Sequence, residues 1–170
     1  MVTGIVIPAD ADQRPEQREF AGLDDYRAAV DGWIEAVDLH DLGVTIYVNE
    51  EGRVRQLPFN SRASFLWWYH VPVARQKALL AGSAVVVGLP DRNGENTEVP
   101  DSVRELLLAQ TSYRVEVRTV GDPKWYGNQA TYPDYWEAVV WAMVTLERWA
   151  LAEDVRVLPV DLTPHEAPAT

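Results

Sequence analysis

The chain has no cysteine among its 170 residues. That excludes disulfide frameworks, thiolate metal sites, iron–sulfur clusters and cysteine nucleophiles. Positive charge is scarce: 15 Lys and Arg face 26 Asp and Glu, a formal net charge of −11. A surface of that sign, taken as a whole, does not attract nucleic acid or anionic membrane. No apolar run approaches the 18 or more residues of a membrane span, and the start, Met1-Val-Thr-Gly-Ile-Val-Ile-Pro8, has neither the basic region nor the apolar length of a signal peptide. The expectation is a soluble, cytoplasmic protein with no membrane partner. Phosphate-cradling glycine loops and nucleophile elbows are missing too, since Gly82 and Gly88 bracket an apolar strand rather than open a helix. The three histidines, His40, His70 and His165, are far apart and fit no metal-ligand spacing. These absences leave no catalytic residue, metal or cofactor to assign, and an enzyme only if its site is assembled from distant residues.

What is present suits a folded domain: 47% apolar and 24% charged residues support an ordinary core. Val2 to Ile7 reads as a strand and residues 8 to 22 as a loop. After a cap at Asp24, the residues Tyr26, Val30, Trp33, Ile34 and Val37 fall at i, i+4, i+7, i+8 and i+11. That spacing predicts an amphipathic helix running to Val37. Val44 to Val48 and Arg53 to Leu57 flank Asn49-Glu-Glu-Gly52, the pattern of a β-hairpin. Asn60 or Ser61 caps a helix through Tyr69, and Pro72 starts another that Gly82 ends. Ala84-Val-Val-Val-Gly88 reads as a central strand. A loop over 89 to 100 precedes a helix over 101 to 109. Tyr113, Val115 and Val117 alternate with Arg114, Glu116 and Arg118 as in a half-exposed strand. An aromatic loop over 122 to 131, a helix over 133 to 150 and a strand over 155 to 160 complete the order. The expectation is a single α+β domain over 1–158, with a mostly antiparallel, mixed sheet packed on four to five helices, and a flexible tail over 159–170.

Four blocks carry a resemblance: Val30-Asp-Gly-Trp-Ile-Glu35, Val48-Asn-Glu-Glu-Gly52, Leu57-Pro-Phe-Asn60 with Ala63, and Gly82-Ser-Ala-Val-Val-Val-Gly88. In this order and spacing they resemble the domain of unknown function 3846 family over roughly residues 1–90, which makes residues 91–158 a C-terminal extension. The resemblance implies a bacterial setting, especially actinobacteria with their phages and plasmids. It supplies no activity and no catalytic residue.

Charge is unevenly spread. Residues 1–51 carry three basic and twelve acidic side chains, whereas residues 52–90 carry Arg53, Arg55, Arg62, Arg75 and Lys77 and no acid. The same window holds Phe59, Phe65, Trp67, Trp68, Tyr69 and His70. Cations interleaved with rings suit phosphates and stacked bases, so Arg53, Arg55, Arg62, Trp67, Arg75 and Lys77 form a candidate anion or nucleic-acid site. Their bland explanation is solvated arginines over a core of rings, with Phe65 and Tyr69 facing inward and Trp67 outward. On the expected first helix, Asp31, Glu35 and Asp38 share the polar face about 6 Å apart, a candidate acidic surface that could imitate the phosphates of DNA. A plain solvated face explains them as well. Trp125 and Tyr126 in the aromatic loop, with Trp141 in the polar stripe of the last helix, form a candidate aromatic surface. Three functions stay open: a non-catalytic protein that binds a host protein or itself, a homodimer being the simplest case; a nucleic-acid or nucleotide-binding module; and an enzyme with an unrecognised site.

Overall fold

The computed structural model describes residues 1–160, in which four helices and nine antiparallel strands make an α+β chain. It divides into two compact units, Met1–Ala109 and the residues from Gln110 onward, and each has its own sheet. The expected tail falls mostly on 161–170, outside the described residues.

The first unit holds strands β1 (Val2–Ile7), β2 (Glu16–Phe20), β3 (Ile34–Leu39), β4 (Val44–Asn49), β5 (Ala84–Pro90) and β6 (Asn96–Thr97). Their order is β2-β1-β5-β4-β3, with β6 beside the far end of β5. The continuous apolar run of β5 is central, as its sequence predicts: Val86 pairs with Ile5 on one side and Ile46 on the other. On one sheet face Val6, Phe20, Val85 and Val87 pack with Tyr26 and Val30 of α1 (Leu23–Val30). On the other, Ile5, Ile7, Val44, Ile46, Val48, Ala84 and Val86 are buried. Asn60 caps α2 (Ser61–His70) by accepting from the Ala63 N–H, while its amide donates to Ile7 O at 3.0 Å and Gly82 O at 2.9 Å. One buried side chain thus starts the helix and ties it to β1. A helix does start at Pro72, but it is a single 3-10 turn, Pro72–Ala74, that ends well before Gly82, and α3 (Asp101–Leu108) closes the unit.

Three sequence expectations are corrected here. Residues 8–22 are not all loop, because Glu16–Phe20 pairs with β1 through Val2 opposite Phe20. Residues 53–57 hold no return strand of a hairpin, since 53–56 form turns; β4 pairs instead with β3 and β5. The helix expected to reach Val37 stops at Val30. Asp31 takes a left-handed conformation (φ 59°, ψ 44°), and the N–H groups of Asp31 and Gly32 donate to Ala28 O and Arg27 O. That bond pair is a helix-terminating motif, for which a short polar residue followed by glycine is suited. Beyond it the chain becomes β3.

The second unit orders β8 (Trp125–Gly127), β7 (Tyr113–Thr119) and β9 (Ala152–Pro159) in one antiparallel sheet. Helix α4 (Tyr135–Arg148) packs on β7 and β9. It starts where Asp134 accepts from the Glu137 N–H at 2.9 Å. Its Trp136, Val139, Ala142 and Met143 are buried, as are Tyr113, Val115, Val117 and Val155 of the strands. Strand alternation then sends Arg114, Glu116 and Arg118 to the opposite face.

Candidate functional site

The acidic candidate does not assemble. Without a helix beyond Val30, Asp31, Glu35 and Asp38 lose their common face. Glu35 and Asp38 are three apart on β3 and point to opposite sides of the sheet. Asp38 accepts from Thr45 Oγ1 directly across the strand pair at 2.6 Å. Asp31 binds Arg55, whose guanidinium reaches its carboxylate at 2.8 Å and its carbonyl oxygen at 2.5 Å. Asn49 completes this knot from within. Its amide donates to Val30 O and Asp31 O, and its Oδ1 accepts from the Glu51 N–H. A carboxylate row imitating DNA is therefore absent from this segment.

The basic candidate is dispersed. Arg55 is committed to Asp31. Arg62 donates to Pro8 O at 2.8 Å and Asp10 O at 2.9 Å, which pins the start of α2 to the strand-end loop. Arg75 donates to Trp68 O at 2.8 Å. Arg53 and Lys77 are exposed. The rings of the window interlock: Phe65 meets Phe59 and Trp68 edge-on at 6.4 and 5.0 Å, and the Trp68 indole donates to Ala78 O. The inward and outward assignments from helical spacing are corrected as well. Ala63, Ser64 and Leu66 are the buried positions of α2, while Phe65, Trp67 and Tyr69 are each half-buried. His70 is burdened by its surroundings: burial pushes the imidazole pKa below its ordinary value, against a smaller upward pull from Asp41.

The aromatic candidate is where the geometry concentrates. On the face of the three-stranded sheet away from α4, Trp125 lies beside Arg118, and Arg118 beside Asp154; in the next row Gly127, Glu116 and Arg156 are neighbours. Two guanidiniums stand over the Trp125 ring, Arg156 at 4.4 Å and Arg118 at 5.2 Å from its centre. Glu116 takes Arg156 at 2.5 Å and Arg114 at 3.6 Å, and Arg118 takes Glu153 at 3.2 Å and Asp154 at 3.8 Å. The indole is therefore held in place by cation–π contacts, and the cations by carboxylates. Tyr126, on the edge strand, is half exposed and its hydroxyl donates to Asp122 at 2.8 Å. This bond raises the phenol pKa; the Asp122 carboxyl is lowered chiefly by the Lys124 backbone N–H and then by the Tyr126 hydroxyl. Trp141 is 44% exposed and stacks on Tyr132, 6.3 Å between ring centres and 22° between planes.

A further ring stands elsewhere than its helical spacing predicts. Trp33, expected on a core-facing helix stripe, is 59% exposed with the Arg27 guanidinium 4.3 Å from its ring centre. The Asp31-Gly32 dipeptide, a turn signal just before it, was the clue to its position. Among the described residues no group of His, Asp and Glu stands where it could hold a metal ion, and no helix is long and apolar enough to cross a membrane.

Fold and site together define an α+β protein whose chemistry-bearing side chains are stacked and paired with one another across open surfaces. Residues 2–112 match the family described as Domain of unknown function (DUF3846), and the chain belongs to it. The match covers the first unit from Val2 to its end. No curated protein and no solved structure matches the chain.

Proposed function

We propose that this protein is a non-catalytic binding module that engages another protein chain through the rings of its second unit, chiefly Trp125 on the sheet face away from α4, with Tyr126 and Trp141 on the α4 side. The setting proposed with it is a bacterial cytoplasm and a phage or plasmid origin. The observation that carries the reading is Trp125, half-buried on the sheet face away from α4, with the guanidiniums of Arg118 and Arg156 over its ring. Trp and Arg dominate the energetics of protein interfaces. A ring already immobilised by its neighbours loses little rotamer freedom on contact, so more of its burial appears as affinity.

The nucleic-acid reading retains one observation in its favour, the exposure of Arg53 and Lys77 in a segment without acids. A single comparison separates the two. The tagged full chain is used to capture partners from a bacterial lysate, beside Trp125→Ala, Trp141→Ala and the double variant Arg53→Glu/Lys77→Glu. Loss of a captured protein with the tryptophan variants, at unchanged circular dichroism, supports protein binding. Salt-sensitive retention of nucleic acid that only the double charge variant abolishes overturns it.

A further inference from the structure

The sheet of the first unit ends on β3, and the hydrogen-bond phase of its neighbour shows which groups of β3 face outward. In β4 the odd residues bond to β5: the Leu89 N–H donates to Gly43 O, and Thr45 and Tyr47 follow in the same phase opposite Val87 and Val85. The even residues bond to β3, in phase with the Glu50 N–H that donates to Trp33 O. β3 therefore turns the N–H and C=O groups of Glu35, Val37 and Leu39 toward β4 and those of Ile34, Ala36 and Asp38 away from it. Among the described residues these outward backbone groups have no partner. Glu35, Ala36 and Asp38 are exposed, so another chain can reach this edge. The usual means of blunting it are missing: β3 runs six residues in unbroken register, with no proline, lysine or bulge. Elsewhere β2 bears paired charges of both signs, Arg18 on Glu16, β8 has only three residues, and β9 carries Pro159.

Charge selects the occupant. From Ala28 to Gly52 the chain has six acids and no Lys or Arg. Glu35 and Asp38, on β3 itself, have no ion-pair partner among the described residues. Pairing two copies along β3 would gather their four carboxylates on chains of net charge −11, which disfavours a second copy. The geometry points to an extended, basic segment of another protein, added to β3 as one further strand. Main-chain bonds to Ile34, Ala36 and Asp38 supply the affinity, and the side chains supply the selection. Glu35 and Asp38 lie on opposite faces of the sheet, so the cations of that segment fall three residues apart, with an apolar residue opposite half-buried Val37. This site belongs to the first unit and is independent of the reading given for the second.

Fluorescence anisotropy with the full chain and the labelled peptide Val-Lys-Val-Thr-Lys-Val tests this. In antiparallel register its two lysines stand opposite Asp38 and Glu35. The expected result is saturable binding. N-methylation of the second and fourth peptide residues removes donors aimed at β3 and should weaken binding about tenfold or more; N-methylation of the third and fifth, which point away, should spare it. Ala36→Pro removes an N–H that makes no bond within the chain, so the sheet is kept while binding falls by a similar factor. Glu35→Lys should weaken the same peptide and favour one with Glu in its fifth place. No saturable binding, equal loss from both methylated peptides, or a folded Ala36→Pro variant that binds as wild type overturns the inference. A chain that self-associates in sedimentation, and ceases to do so as Ala36→Pro, puts a second copy at this edge and overturns it too. The peptide does not probe Trp125, so each of these results leaves the second unit's reading as it stands.

Discussion

At the scale of single residues, position 32 decides where the first helix ends. A Cβ on Gly32 would lie 2.6 Å from Asn49 Nδ2, and Asn49 is buried and held by three hydrogen bonds. Gly32→Ala must push that amide off the Val30 and Asp31 carbonyls, leaving buried polar groups unpaired. The expected loss is about 2 kcal/mol of stability, measured by urea unfolding; an unchanged midpoint contradicts the role given to Asn49. His70 makes a prediction with a sign. Burial holds its pKa below the ordinary 6.5, so as pH falls the unfolded chain takes up the proton first. The favourable contribution of the neutral ring is complete above 6.5 and is lost as pH drops through the folded value. Melting temperature should decline from neutral to mildly acid pH, and His70→Gln should flatten that decline. An equal decline in both proteins removes His70 as its source.

At the scale of elements, the two side-chain helix caps differ in what else they hold. Asp134 caps α4 at the surface by one bond, and Asp134→Ala should cost about 1 kcal/mol. Asn60 caps α2 and also satisfies two carbonyls in a fully buried position, so Asn60→Ala should cost about 3 kcal/mol. Equal costs in thermal or urea unfolding would contradict the tie between α2 and β1. The same elements show why some local structure was legible in sequence. β7, α3 and α4 declare themselves by periodicity within their own spans, β1 and β5 by continuous apolar runs, and α2 by its cap at Asn60. β2 does not, since Glu16-Gln-Arg-Glu19 offers only Phe20 as an apolar anchor. Residues 33–37 mislead because Trp33, Ile34 and Val37 satisfy helical spacing as well as an edge strand, and the competing stop at Asp31-Gly32 depends on Asn49 and Arg55, which arrive from elsewhere in the chain.

At the scale of the molecule, the uneven charge of the sequence does not become a sorted surface. Arg55 crosses to Asp31, Arg62 to the carbonyls of Pro8 and Asp10, and Arg75 to Trp68. An acid-free window is legible in one dimension, whereas its partners come from three. The aromatic candidates were legible as residues, because Trp125, Tyr126 and Trp141 stand out in composition and helical register. Their setting was not: Arg118 and Arg156 reach Trp125 only through the pairing of β7 with β8 and β9. The proposed working surface is this ring and its guanidiniums rather than the exposed cations of residues 53 and 77. The most direct test places a photo-crosslinking phenylalanine derivative at Trp125, and separately at Lys77, in the full chain inside a bacterial cell. Crosslinks to protein are expected from position 125, self or foreign, and none to nucleic acid from position 77. Nucleic acid captured from position 77 with no protein captured from position 125 would contradict it.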